Sequence, residues 1–170
     1  MRKYMTLAVA ITSLVGTVAA CGDDDDAAGG DDDGGTATVK FAPTDDGRSG
    51  SVDVALREYL VLPESTRHEG GTFDFNVRND GPAHTHKLVV AKTDLPADDL
   101  PTNDDGSVDE EGAGIEVIGE VEALAVGAAA TLRVDVGAGQ YVLLCTIVEE
   151  VDGQMIVHYE QGMHTAFTVE

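Results

Sequence analysis

The chain has 170 residues, with 32 Asp plus Glu against 10 Lys plus Arg and a formal charge of -22 at pH 7. Acidity of this size excludes nucleic acid as a partner, because displacing phosphate counterions takes Lys and Arg. With 42% hydrophobic residues, 5% aromatics, no Trp and 2 Cys, there is apolar material for one core and no disulfide-dense scaffold.

The first predicted element is an export signal over residues 1–20. Arg2 and Lys3 precede the apolar run Leu7-Ala8-Val9-Ala10-Ile11 to Leu14-Val15, and small residues follow. The ending Val18-Ala19-Ala20-Cys21 resembles the lipobox of bacterial lipoproteins, which implies that Cys21 is lipid-modified and becomes the first mature residue. Residues 21–35 continue with only Gly, Asp and Ala after the cysteine. They cannot build a core and read as an extended acidic tether. Their Asp runs lack the spaced ligands and distal Glu of an EF-hand loop.

From Thr36 onward the period is two, with turn residues between short runs, so one domain of strands is expected over 36–170. Val52, Val54 and Leu56 share a parity with Leu60 and Leu62 in a segment bounded by Gly50 and Pro63. Phe73, Phe75 and Val77 alternate with Asp74, Asn76 and Arg78 before the turn Asn79-Asp80-Gly81-Pro82. Further strands are expected over 87–91, 131–136, 141–145 and 165–169, and the Asp-, Pro- and Gly-rich stretch 94–114 reads as a surface excursion. The spacing predicts an all-β protein, an antiparallel β-sandwich.

The chemistry concentrates near the C-terminus. Cys145 ends the run Gln140-Tyr141-Val142-Leu143-Leu144-Cys145, and His158-Tyr159-Glu160-Gln161-Gly162-Met163 follows just before the last strand. A buried cysteine can be a mere core residue. Thiolate, imidazole and thioether together, however, are a soft ligand set, and a His₂Cys plane with a weak axial Met describes a blue-copper electron-transfer site. A second imidazole is available in Ala83-His84-Thr85-His86-Lys87-Leu88. His84 and His86 share strand parity, but His86 adjoins the apolar run and is the better inward-facing ligand. By the same test Met163 aligns with Phe167 and Val169 and should face inward, whereas His164 aligns with Ala166 and Thr168.

The segment 73–81 leading to His86-Lys87-Leu88-Val89-Val90, then Gly139 to Cys145, then His158 to Met163, resembles the cupredoxin family of plastocyanin-like and azurin-like blue-copper proteins. The resemblance covers roughly residues 50–170. It implies a Greek-key β-sandwich, one type 1 copper ion, and ligands at His86, Cys145, His158 and Met163. One departure stands out: the family separates Cys from the second His by a few residues, whereas residues 146–157 intervene here. Asp152-Gly153, flanked by Ile147-Val148 and Met155-Ile156-Val157, predicts a hairpin that would return both ends to the metal. The alternatives are His84 or His164 in place of His158, or an incomplete site.

The function implied is single-electron carriage by Cu(II)/Cu(I) cycling, on an exported monomer lipid-anchored to the extracytoplasmic face of a bacterial membrane. Its partners would be redox proteins, basic ones if the acidic surface steers them. Two competitors are an extracytoplasmic copper-delivery protein of the same fold and a metal-free cell-surface interaction module. An enzyme is not expected. The 5 His are too few for a multicopper oxidase, and no Gly-x-Ser-x-Gly or His-Glu-x-x-His motif is present.

Overall fold

Alternation becomes strand throughout the computed structural model, which describes residues 49–170. The expected export signal, Cys21, the tether and the expected domain start at residue 36 lie outside the described residues. The strands are β1 (Ser49–Arg57), β2 (Leu60–Pro63), β3 (Arg67–His68), β4 (Gly71–Asn79), β5 (His86–Lys92) and β6 (Glu116–Leu124). They continue with β7 (Ala129–Val136), β8 (Gly139–Leu144), β9 (Val148–Val151), β10 (Gln154–Val157) and β11 (His164–Val169).

A four-stranded sheet in the order β2-β1-β4-β7 faces a five-stranded sheet in the order β3-β11-β8-β5-β6, and β9 pairs with β10 in a separate hairpin. The result is an all-β Greek-key sandwich. Its sheets are mixed rather than purely antiparallel: β1 lies parallel to β4, and β11 parallel to β3. The chain crosses between the sheets at β3 before it enters β4, so β4 runs in the direction of β1 instead of returning along it.

The inward faces form one core in which Val52, Val54, Leu56, Phe75 and Val77 of one sheet meet Leu88, Val90, Leu143 and Phe167 of the other. Burying each of the large apolar side chains contributes roughly 1.5–3 kcal/mol. Leu60 and Leu62 do not share the buried face of Val52 to Leu56. A tight turn at Glu58-Tyr59 reverses the chain, Leu56 pairs with Val61, and Leu60 and Leu62 are exposed while Val61 is buried. The excursion 94–114 is more than surface. Leu100 and Val108 are buried in a second cluster with Val89, Ala91, Val142, Leu144, Val157 and Tyr159, on the other face of the five-stranded sheet. The Tyr159 hydroxyl donates to Ala97 O and accepts from Leu100 N, each at 2.9 Å, fixing the excursion there.

This topology positions the site. β5, β8 and β11 are neighbours, with β8 antiparallel to both. The start of β5, the end of β8 and the start of β11 therefore meet at one end of the sheet. His86 opens β5, Cys145 follows β8, and Met163 precedes β11.

Candidate metal centre

Three donors converge at that end. His86 Nδ1 and His158 Nδ1 are 3.3 Å apart, and Cys145 Sγ is 3.5 Å from His158 Nδ1. One donor atom from each of His86, Cys145 and His158 lies within 4.8 Å of the other two, and all three residues are 0% exposed. Donors bound to one first-row ion at about 2.0–2.3 Å, with angles near 105–110°, would be separated by this much. A thiol and two imidazoles with no other reason to crowd together thus fit one type 1 copper ion.

Each donor is held by its neighbours along the chain. The β9–β10 hairpin carries the chain from Cys145 to His158, as the Asp152-Gly153 turn predicts, with φ of 53° and 80° at those residues. His158 N donates to Ile147 O at 3.0 Å, closing the hairpin beside the cysteine. Residues 146–157 therefore add length without separating the two donors. Met163 is fully buried, and its backbone ties it to both sides: its N–H donates to His158 O at 3.1 Å, and its carbonyl accepts from Cys145 N at 3.0 Å. His84 and His164 stand outside the donor group. His164 leans on the Tyr159 ring, 5.0 Å between centroids.

Burial sets the electrostatics. It pushes the Cys145 thiol up, against backbone N–H groups of Lys87, 3.5 Å from Sγ, and Ile147, which favour the thiolate. Burial also pushes His86 below the usual imidazole range, and the neighbouring His158 adds to the effect. The first makes formation of the Cys145 thiolate depend on a cation, and the second favours His86 as a neutral donor.

Several residues that the motif reading passed over shape the site. Glu149 Oε1 accepts from His158 Nε2 at 2.8 Å and lies 2.7 Å from His84 Nδ1. Glu58 Oε1 accepts from the Ala83 and His84 N–H groups and sits 3.7 Å from His86 Nε2, which itself has no hydrogen-bond partner. Tyr59 packs edge-on against the His158 ring and stacks on His84. Asn79, 0% exposed, donates through Nδ2 to His84 O and Leu124 O and accepts from Gly81 N, bracing the loop that leads to His86. Lys87 Nζ joins Glu110 and Glu120, and Thr146 Oγ1 donates to Glu110, so the excursion, β6 and the segment after Cys145 are pinned together. In the sequence these carboxylates read as surface charge; only the pairing of distant strands identifies them.

The chain matches no protein-family model and no curated protein. Among solved structures it is similar to reduced rusticyanin at 16% identity, over 73% of this chain and 81% of that one, with a TM-score of 0.50. An auracyanin from Roseiflexus castenholzii, reduced with dithionite, matches at 22% identity over 71% of this chain and 96% of its own, with a TM-score of 0.49. Auracyanin A, a "blue" copper protein from Chloroflexus aurantiacus, matches at 16% identity over 72% of this chain and 100% of its own, with a TM-score of 0.46. The rusticyanin likeness establishes the fold, the cupredoxin β-sandwich.

Proposed function

We propose that this chain is a type 1 copper protein that carries single electrons by Cu(II)/Cu(I) cycling. The observation that carries the reading is the gathering of His86 Nδ1, Cys145 Sγ and His158 Nδ1 in one fully buried group. Copper would supply the one-electron redox step. The protein would supply a strong thiolate from Cys145 and an imidazole pair from His86 and His158, with the Met163 thioether as a weaker fourth ligand that would tune the potential. Met163 is supported in that role by its burial and by the backbone bonds that bind it to Cys145 and His158. A buried donor set braced by backbone hydrogen bonds would rearrange little between oxidation states, which suits rapid electron exchange. It also favours a carrier over an enzyme, and retention of the metal over delivery to an acceptor.

The sequence supports an extracytoplasmic location. The apolar run before Val18-Ala19-Ala20-Cys21 is the basis for proposing export, lipid attachment at Cys21, and a folded domain from about residue 36 joined to its anchor by the acidic segment 21–35. On a chain of formal charge -22, a basic redox protein is the partner that long-range electrostatics would bring in.

The test is the visible spectrum of the purified protein after addition of Cu(II), repeated on Cys145→Ser. An intense band near about 600 nm, absent from the variant, is the expected result for a copper–thiolate bond. A band that persists in Cys145→Ser would sink the assignment.

A further inference from the structure

The hairpin inserted between Cys145 and His158 brings a carboxylate to the back of a donor. Glu149 of β9 uses one oxygen, Oε1, to accept from His158 Nε2 at 2.8 Å while facing His84 Nδ1 at 2.7 Å. His158 is 0% exposed, whereas the His84 side chain is 22% exposed, so the carboxylate links a buried imidazole to one at the surface. Tyr59 touches both rings, at centroid distances of 6.0 Å to His84 and 5.1 Å to His158. The link is built from three separate parts of the chain: the β1–β2 turn, the loop before β5, and the inserted hairpin.

A histidine whose Nε2–H is donated to a carboxylate keeps its Nδ1 lone pair free. In this site Nδ1 is the atom that faces Cys145 and His86. We infer that Glu149 is a positioning residue for the metal centre: it fixes the metal-binding tautomer of His158 and places a negative charge one imidazole ring away from the ion, favouring Cu(II) over Cu(I). This inference rests on the copper reading above. His86 lacks an equally close counterpart, since the Glu58 oxygen stands 3.7 Å from its Nε2. The electrostatic bias therefore enters the centre mainly through His158 and depends on the inserted hairpin.

Two variants of the full-length protein separate geometry from charge. Glu149→Gln keeps an acceptor oxygen for His158 Nε2 and removes the charge. Glu149→Ala removes both. After loading with Cu(II), the Gln variant is expected to keep the visible band, while its preference for Cu(II) over Cu(I) falls about tenfold, a rise in potential of about 59 mV for a one-electron couple. The Ala variant should in addition lose about 10- to 100-fold in Cu(II) affinity, the usual cost of removing a carboxylate behind a metal-bound histidine. Far-UV circular dichroism checks that both variants are folded, and the Gln variant alone suffices if Ala is not. A wild-type band with an unchanged potential in Glu149→Gln overturns the inference and leaves the copper reading standing. Wild-type protein that binds neither Cu(II) nor Cu(I) overturns the copper reading itself, and this inference with it.

Discussion

At Asn79 one buried amide makes three hydrogen bonds, to His84 O, Leu124 O and Gly81 N. The first and last lie in the loop before His86, and the second lies at the end of β6, so a single side chain holds the entry to the ligand strand. Asn79→Ala would leave two half-buried carbonyls and one buried amide without their partner, and is expected to cost about 1–3 kcal/mol in urea unfolding of the metal-free protein. A loss below about 1 kcal/mol would mean that water replaces the amide without penalty. The role proposed for Met163 bears on the redox chemistry instead. Met163→Gln exchanges a soft thioether for a harder amide oxygen, so the copper–thiolate band should remain while the potential falls. An unchanged potential in a redox titration would argue against Met163 as a ligand. The burial of Met163 was legible through its parity with Phe167 and Val169, but Asn79 is one more turn residue until β6 is placed beside it.

Among the elements, the β9–β10 hairpin was legible in advance because Asp-Gly between two apolar runs specifies its own turn. Both turn residues adopt positive φ, and a Cβ at Gly153 would meet nothing within 4 Å. Gly153→Ala should therefore exact only a backbone penalty of about 1 kcal/mol. The expected outcome is faster amide exchange over residues 148–157 with little change in global unfolding; equal exchange in both proteins would show that the turn does not limit hairpin opening. By contrast β6 escaped notice. Glu116, Glu120 and Glu122 are exposed on this edge strand, Gly119 interrupts it, and its pairing with β5 shifts register twice, so the apolar period is broken. The excursion 94–114 was misjudged for a related reason. Leu100 and Val108 are isolated among polar residues, and their burial depends on the far face of a sheet, which no local pattern records. Leu60 and Leu62 failed differently: alternation was read straight through Glu58-Tyr59, where the chain turns back and parity reverses.

For the molecule as a whole, pH should act through imidazoles that the fold keeps neutral. Burial lowers both His86 and His164 below the ordinary imidazole value of about 6.5. A histidine with a depressed folded pKa binds fewer protons in the folded state than in the unfolded one. The stability it contributes is complete above about 6.5 and is lost as pH falls from there through the folded values. The 32 carboxylates bear on a lower range, since an ordinary Asp or Glu titrates near 4. The urea midpoint of the metal-free protein should thus decrease between about pH 7.5 and 5.5. A flat profile over that window would show that both imidazoles accept protons in the folded state as readily as in the unfolded one.

The bond from His158 N to Ile147 O, with Val148 paired to Val157 just beyond it, closes the base of the hairpin. Whatever lies past the next pair, Glu149 with Ile156, can lengthen or shorten by whole cross-strand pairs while Cys145, Glu149 and His158 keep their places. The number of residues between cysteine and histidine is accordingly a quantity free to drift during descent, so long as the base stays shut. Searches that demand a fixed short interval between these two letters would pass over such chains, and a better rule would ask whether the intervening residues can fold back on themselves.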